Sequence, residues 1–189
     1  MLTICRFPDD LTFLRRIAPP IEEAEFGSQA LYNFAEQLAE TMDAFGGLVG
    51  LSATQVKETN RQPIDGSAVV YQEPAWRIFS MMVTDNEATT VCNPEILWLP
   101  PEKDWVMGPE GCASFASVQE HMKAPAMMKV RARTVSGEDY EATLHGVQAR
   151  CFWHERRHLD GLLLSDSMKP LQKKMFLKKV AKAYKEMGR

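Results

Sequence analysis

The sequence predicts an α+β protein in which short antiparallel or mixed strands surround a central, metal-binding helix, with one helix towards the N-terminus and an amphipathic helix at the C-terminus. Three observations lead there. Helical periodicity marks three separate segments, strand-like runs fill the middle of the chain, and turn residues rather than a repeat divide them. At 189 residues the chain is long enough to bury one proper core, so a single domain over residues 1–189 is expected.

Helical spacing first appears at Leu31, Ala35, Leu38 and Met42, behind Gly27-Ser28, where Ser28 can cap the exposed amides. This helix runs into Gly46-Gly47-Leu48-Val49-Gly50-Leu51-Ser52-Ala53-Thr54-Gln55, whose glycines let a backbone come close to a ligand. Residues 57–76 are polar and hold Pro63, Gly66 and Pro74, which predicts a long loop before a strand at Ile78–Val83. Further strands are expected at Thr89–Cys92 and Lys129–Val135, the second turning at Ser136-Gly137 into Tyr140–Leu144 as a hairpin. A helix should follow Gly146 and close at Gly161, where glycine can take the left-handed conformation. After Pro170, a last helix places Phe176, Val180, Ala183, Tyr184 and Met187 on one apolar stripe.

Several function classes are set aside by composition. Charges break every apolar stretch well short of the roughly 20 residues a membrane span needs, so no membrane association is expected. Met1 to Arg6 lacks a basic segment followed by an apolar run, and Asp9 and Asp10 come too early for an organelle presequence. The chain therefore reads as cytoplasmic, or organellar if a presequence has been trimmed. Cys5, Cys92, Cys112 and Cys151 are widely spaced, which gives neither a disulfide framework nor a zinc ribbon. Lys169–Arg189 holds eight Lys/Arg against Glu186 alone, a local charge of +7 that leaves −10 for residues 1–168. Those lysines follow a helical pattern, so a solvated helix face explains them better than specific DNA binding.

The helix after Gly146 carries His154-Glu155-Arg156-Arg157-His158. Positions i and i+4 stand one turn apart on one face, so both imidazoles can reach one ion. Glu155 beside them can take a proton from a water acidified by that ion and return it to a leaving group, the chemistry of hydrolysis at a carbonyl. The pattern has only three fixed positions and also occurs in helices that bind nothing, so a third ligand has to decide. An astacin-like third histidine is excluded because Leu164 occupies its place, and a thermolysin-like glutamate finds only Glu186, within the basic helix. A cysteine thiolate remains. Cys151 stands seven residues from His158, roughly 10 Å along the axis, which is far for shared coordination. Cys112 is preferred because Gly111 frees the backbone and Glu110 offers a supporting carboxylate, though spacing alone leaves Cys5 and Cys92 open.

Three segments taken in order, GLVGLSATQ (Gly47–Gln55), EGCAS (Glu110–Ser114) and HERRHLDG (His154–Gly161), resemble the three signature motifs of peptide deformylases. The opening FPDDL, Asn93-Pro94 after a strand, Gly146 with Ala149-Arg150, and the terminal helix extend the likeness over most of the chain; the stretch around 57–76 looks inserted. The resemblance implies that Cys112, His154 and His158 hold one divalent metal, usually Fe2+, with Zn2+, Ni2+ or Co2+ compatible with the same ligands. It implies attack of a metal-activated water on the formyl group of formyl-methionine at the N-terminus of a nascent polypeptide, releasing formate. Glu155 would move the proton, while the Gln55 amide and the Ala113 N–H would stabilise the oxyanion. Val49 and Gly50 would pair with the extended peptide, Glu110 would contact it, and Cys151, Phe152 and His154 would line a pocket for the methionine side chain.

Five signature positions depart from the family pattern: Leu48, Ser52, Ala113, Trp153 and Arg157. Leu48 in place of glycine should stiffen its loop, Ala113 should widen the pocket, and Trp153 with Arg157 should alter the surroundings of the histidines and hence rate or substrate range. Two other readings follow from these departures. One is a metallohydrolase acting on a different N-acyl amide or peptide bond; the other is a non-catalytic module docking to ribosomes through Lys169–Arg189.

Overall fold

The computed structural model describes residues 2–58, 76–84 and 87–188. In chain order these form β1 (Leu2–Ile4), α1 (Leu11–Leu14), α2 (Gln29–Phe45), β2 (Gly50–Ser52), β3 (Val56–Glu58), β4 (Ile78–Thr84), β5 (Glu87–Trp98), β6 (Val106–Glu110), β7 (Glu120–Ala124), β8 (Met127–Arg133), β9 (Asp139–His145), α3 (Gly146–Leu159) and α4 (Pro170–Glu186). The architecture is α+β, and every strand pairing among the described residues is antiparallel. A five-stranded sheet runs β2-β4-β5-β8-β9, with two-stranded pairs β1-β3 and β6-β7 beside it.

Alternation along the strands explains why this sheet is covered on both faces. Phe79, Met81 and Val91 point to one side, where they meet Ala149, Cys151, Phe152 and Leu159 of α3. Ile78 and Cys92 point to the other, where Leu31 and Ala35 of α2 close over them. Leu38 and Met42, one and two turns further along α2, pack on Leu2, Leu51 and Val56. The helix begins as expected, with the Ser28 hydroxyl accepting from the Leu31 N–H at 3.3 Å. Phe176 and Val180 of α4 complete a second core with Cys5, Leu14, Cys112, Phe115, Leu163 and Leu164. Truncating one such fully buried aromatic costs about 3–5 kcal/mol.

Several boundaries differ from the sequence expectation for identifiable reasons. The strand expected at Thr89–Cys92 continues to Trp98, passing through Asn93-Pro94 rather than ending before them. Asn93 takes φ +47°, its side chain accepts from the Ile21 N–H at 2.8 Å and donates to the Ile21 carbonyl at 2.9 Å. The pairing with β8 shifts register at this point. A bulge thus accommodates the proline, which has no N–H to give a ladder. The short strands β1, β2, β3, β6 and β7 carry no alternation long enough to recognise. Of the polar stretch 57–76, Lys57 and Glu58 belong to β3 and Trp76 donates to Glu25 at 2.7 Å; residues 59–75 lie outside the described residues. Among the described residues, no helix is long and apolar enough to cross a membrane.

Candidate metal centre

Helix α3 lies with one face on the sheet and the next face turned towards β6 and the turn that follows it. Its end is set by Gly161 at φ +71°, where the Leu162 N–H reaches back to the Arg157 carbonyl at 3.0 Å. A Cβ at Gly161 would also stand 2.6 Å from the Arg15 carbonyl, so the chain beyond the helix needs glycine for space as well as conformation. The Thr54 hydroxyl donates to the His158 carbonyl at 2.9 Å, tying this last turn to the segment that carries Gln55.

His154 and His158 come together on this face as the i, i+4 spacing requires, with their Nε2 atoms 3.1 Å apart. Cys112, delivered by the end of β6, brings its Sγ to 3.4 Å from the His158 Nε2. All three ligand atoms lie within 4.8 Å of one another. Bond lengths of about 2.0–2.1 Å to nitrogen and 2.3 Å to sulfur place tetrahedral ligands roughly 3.3–3.6 Å apart, so the set fits a single divalent cation. Burial works against a charge on His154, yet its hydrogen bonds to Cys112 and Glu110 raise it well above the ordinary histidine value. Burial, followed by the positive charge at His154 and Arg157, holds His158 well below that value. Two imidazoles this close carry one proton between them and not two.

Glu155 is 4% exposed, and its Oε2 has no hydrogen-bond partner among the described residues. Burial raises its carboxyl to about 7, opposed by the charge on His154 and by hydrogen bonds from Ser52. Gln55 is equally buried; its Oε1 accepts from the Ser52 N–H at 3.0 Å and from the Ser52 hydroxyl at 2.8 Å. Those two donors turn its Nε2 towards Cys112 Sγ and Ser114 Oγ, each at 3.3 Å. A cleft of about 310 Å³ opens over these groups, bounded by Val49, Gly50, Glu110, Ala113, Val147 and Cys151 among others.

The expected site residues do not all stand where the sequence put them. Phe152 does not line the cleft: it is 1% exposed and packs edge-on against Phe79 of the sheet at 5.2 Å, about 200° around the helix from His154. Cys151 does reach the cleft wall, where its thiol donates to the Val49 carbonyl at 3.0 Å. That carbonyl also accepts from the Met82 N–H at 3.0 Å, so the acceptor expected of Val49 is already taken. With Gly50 opposite Met81 on an edge strand, alternation turns the Gly50 amide and carbonyl outwards to the open side. Both Glu110 oxygens are engaged, one by Arg150 and one by His154. Cys5 packs in the core that also holds Cys112 and Cys92 packs against α2, neither among the clustered ligand atoms, and burial pushes each thiol up to about 12.

Two of the five departures act as one. Trp153 packs against Trp105 at 4.9 Å, and the Arg157 guanidinium lies 5.8 Å from the Trp153 ring, one turn along the helix. They lie next to each other on the helix that carries the histidines. Sequence reasoning did not assign roles to Arg150, Ser52 or Tyr184, although Arg150 stands one turn before His154 and the same periodicity would have found it. Tyr184 of α4 donates to the Ser114 carbonyl at 2.9 Å, just past Cys112.

The model of the polypeptide deformylase family matches residues 1–174. A peptide deformylase of Azotobacter vinelandii is 31% identical over 188 residues, covering 100% of this chain and 99% of that protein. One of Thermotoga neapolitana is 34% identical over 167 residues, 88% of each. Among solved structures, a peptide deformylase from Legionella pneumophila superposes with a TM-score of 0.78 at 26% identity, covering 99% of this chain and 97% of that one. A Met-Ala-Ser-bound class I type b peptide deformylase from Acinetobacter baumannii gives 0.73 at 27%, covering 89% and 98%.

Proposed function

We propose, from the premise that this chain belongs to the polypeptide deformylase family, that it removes the formyl group from the N-terminal formyl-methionine of nascent polypeptides at the Cys112-His154-His158 centre. The observation that carries the assignment of roles is the convergence of these three ligand atoms within 4.8 Å beside a buried carboxylate with an unpartnered oxygen. A divalent cation held there, Fe2+ by preference with Zn2+, Ni2+ or Co2+ as alternatives, supplies Lewis acidity to water and to the formyl carbonyl.

The chain's own groups account for the remaining chemistry. Glu155, with its carboxyl raised to about 7, takes a proton from the attacking water at neutral pH and returns it to the departing amine. The Gln55 Nε2, aimed by its two contacts with Ser52, and the Ala113 N–H donate to the oxygen as negative charge develops on it; each such donor is worth on the order of a hundredfold in rate. The outward edge of Gly50 pairs with the extended peptide, and the methionine side chain enters the cleft between Val147 and Cys151. Formate and a free amine leave. The domain is a single unit acting in the cytoplasm, and the lysine-rich outer face of α4 is where an anionic ribosomal surface would meet it.

Formate release from a formyl-Met tripeptide by metal-replete protein tests this reading. Glu155→Gln should abolish turnover while leaving the circular-dichroism spectrum intact. Metal-replete wild-type protein that releases no formate would overturn it.

A further inference from the structure

Arg150 stands on α3 one turn before His154, and its side chain is 15% exposed. Its Nη1 donates to Glu110 Oε1 at 2.6 Å and to the Met122 carbonyl at 3.0 Å, and its Nη2 donates to the Val106 carbonyl at 2.9 Å. Strand β6 passes directly over the guanidinium, since a Cβ at Gly108 would lie 2.8 Å from Nη2. The second oxygen of Glu110 stands 3.3 Å from His154 Nδ1. A carboxylate 7% exposed with only an imidazole for company would be costly to bury and free to turn. Arg150 fixes one of its oxygens and so aims the other at Nδ1, which leaves the Nε2 lone pair directed at Cys112 and His158. His158 has no such support among the described residues, where its buried Nδ1 meets no partner. Of the two imidazoles, His154 is the one whose orientation a charged side chain sets.

We propose that Arg150 is a positioning residue for this centre: acting through Glu110, it fixes the tautomer and angle of His154 and thereby the tightness with which Cys112, His154 and His158 hold a divalent cation. The proposal rests on the metal reading given above. It differs from a purely architectural role, in which Arg150 would only clamp the β6-β7 pair to α3 through the carbonyls of Val106 and Met122. Support of this kind for a histidine ligand typically contributes 10- to 100-fold in metal affinity.

The two roles separate in a double-mutant cycle on the full-length apoprotein, read by Co2+ affinity in chelator competition and by the Co2+ d–d absorption band. Arg150→Met should weaken Co2+ binding roughly 10- to 100-fold and shift the band, Glu110→Gln should do the same, and the double variant should bind no more weakly than Glu110→Gln alone. Arg150→Lys, which keeps a cation on Glu110 but cannot fork to both carbonyls, should keep most of the affinity. Should Arg150→Met not fold, Arg150→Gln takes its place in the same cycle. Wild-type affinity in the Arg150 variant, or a double variant weakened by the product of the two single effects, overturns the proposal alone. Wild-type protein that takes up no Co2+, or takes it up equally well as His158→Ala, overturns the metal reading and the proposal with it.

Discussion

Gly50 is the residue at which a single added carbon should most clearly separate the chemistry from peptide binding. Its φ lies outside the left-handed region, so an alanine there meets no backbone strain; the obstacle is space. An added Cβ would stand 2.6 Å from Cys151 Sγ and 2.8 Å from both Cγ and Oε1 of Glu155. Ordinary van der Waals contact begins at about 3.4 Å, so these groups must retreat by about 0.6–0.8 Å. Glu155 sits within α3, whose backbone is fixed by Phe152 and Leu159 in the core beneath it, so its carboxylate has to swing instead. A displacement approaching 1 Å in a reacting group costs on the order of a hundredfold, or about 2.7 kcal/mol of activation free energy. Overpacking should also remove about 1–3 kcal/mol of stability. Gly50→Ala keeps the amide and carbonyl at the outward edge, so KM for a formyl-Met tripeptide should change little while kcat falls about a hundredfold. Steady-state formate release, with thermal unfolding as the control for fold, measures both. If KM rises with kcat intact, Gly50 serves peptide pairing alone and the placement of Glu155 as proton carrier is refuted.

Phe152→Ala should cost about 3–5 kcal/mol of stability and leave KM for a formyl-Met tripeptide unchanged in the folded fraction, since the ring packs on Phe79 and not in the cleft; a KM raised tenfold at unchanged stability would return the residue to the substrate pocket. Ser52→Ala removes one of two donors to the Gln55 amide, a loss of about 1 kcal/mol that should lower kcat by up to about fivefold and the melting temperature by about 2–4 °C; equal kcat would mean the backbone N–H alone holds the amide. Asp166 gives the pH prediction. Burial acts to raise its carboxyl, but hydrogen bonds from Arg15 and the Leu163 N–H outweigh that and hold it at about 2. Because this value lies below that of the unfolded chain, its stabilisation is present above about pH 4 and is lost as pH falls towards 2. A fully shielded carboxylate lowered this far would contribute about 2.5 kcal/mol; with Arg15 and Lys173 each 39% exposed, solvent screening reduces this to about 1 kcal/mol. Urea titrations at pH 7 and pH 2.5 should show about two thirds of that increment lost in wild type, and the increment absent at both pH values in Asp166→Asn.

What could be read from the sequence follows the range over which each interaction acts. The i, i+4 histidines, the Ser28 cap and the glycine that closes α3 are local, set within one or two turns of helix, and each stands in the structure as its spacing implies. The third ligand is different in kind. Cys112 lies 46 residues from His158, and no periodicity links them, so its neighbours Glu110 and Gly111 could only favour it over Cys5 and Cys92, and the resemblance of three separated motifs singled it out. The side of a helix taken by its neighbours could not be read at single-residue precision either. Phe152 and Cys151 are adjacent on α3, yet one packs on Phe79 of the sheet and the other forms the cleft wall, because which neighbour claims each residue depends on how β4 and β6 approach the helix.

The departures in HERRH show the same limit from the opposite side. Read in sequence, Trp153 and Arg157 are two unrelated changes next to two ligands, one aromatic and one cationic. In the fold they are i, i+4 partners whose ring and guanidinium lie together, and Trp105 from the segment before β6 closes against the ring. The Arg157 charge still bears on His158, adding to the burial that keeps that imidazole neutral. The repulsion that acts on a proton at His158 acts more strongly on a divalent cation there, so Arg157 should loosen the hold of that ligand on a cation rather than tighten it.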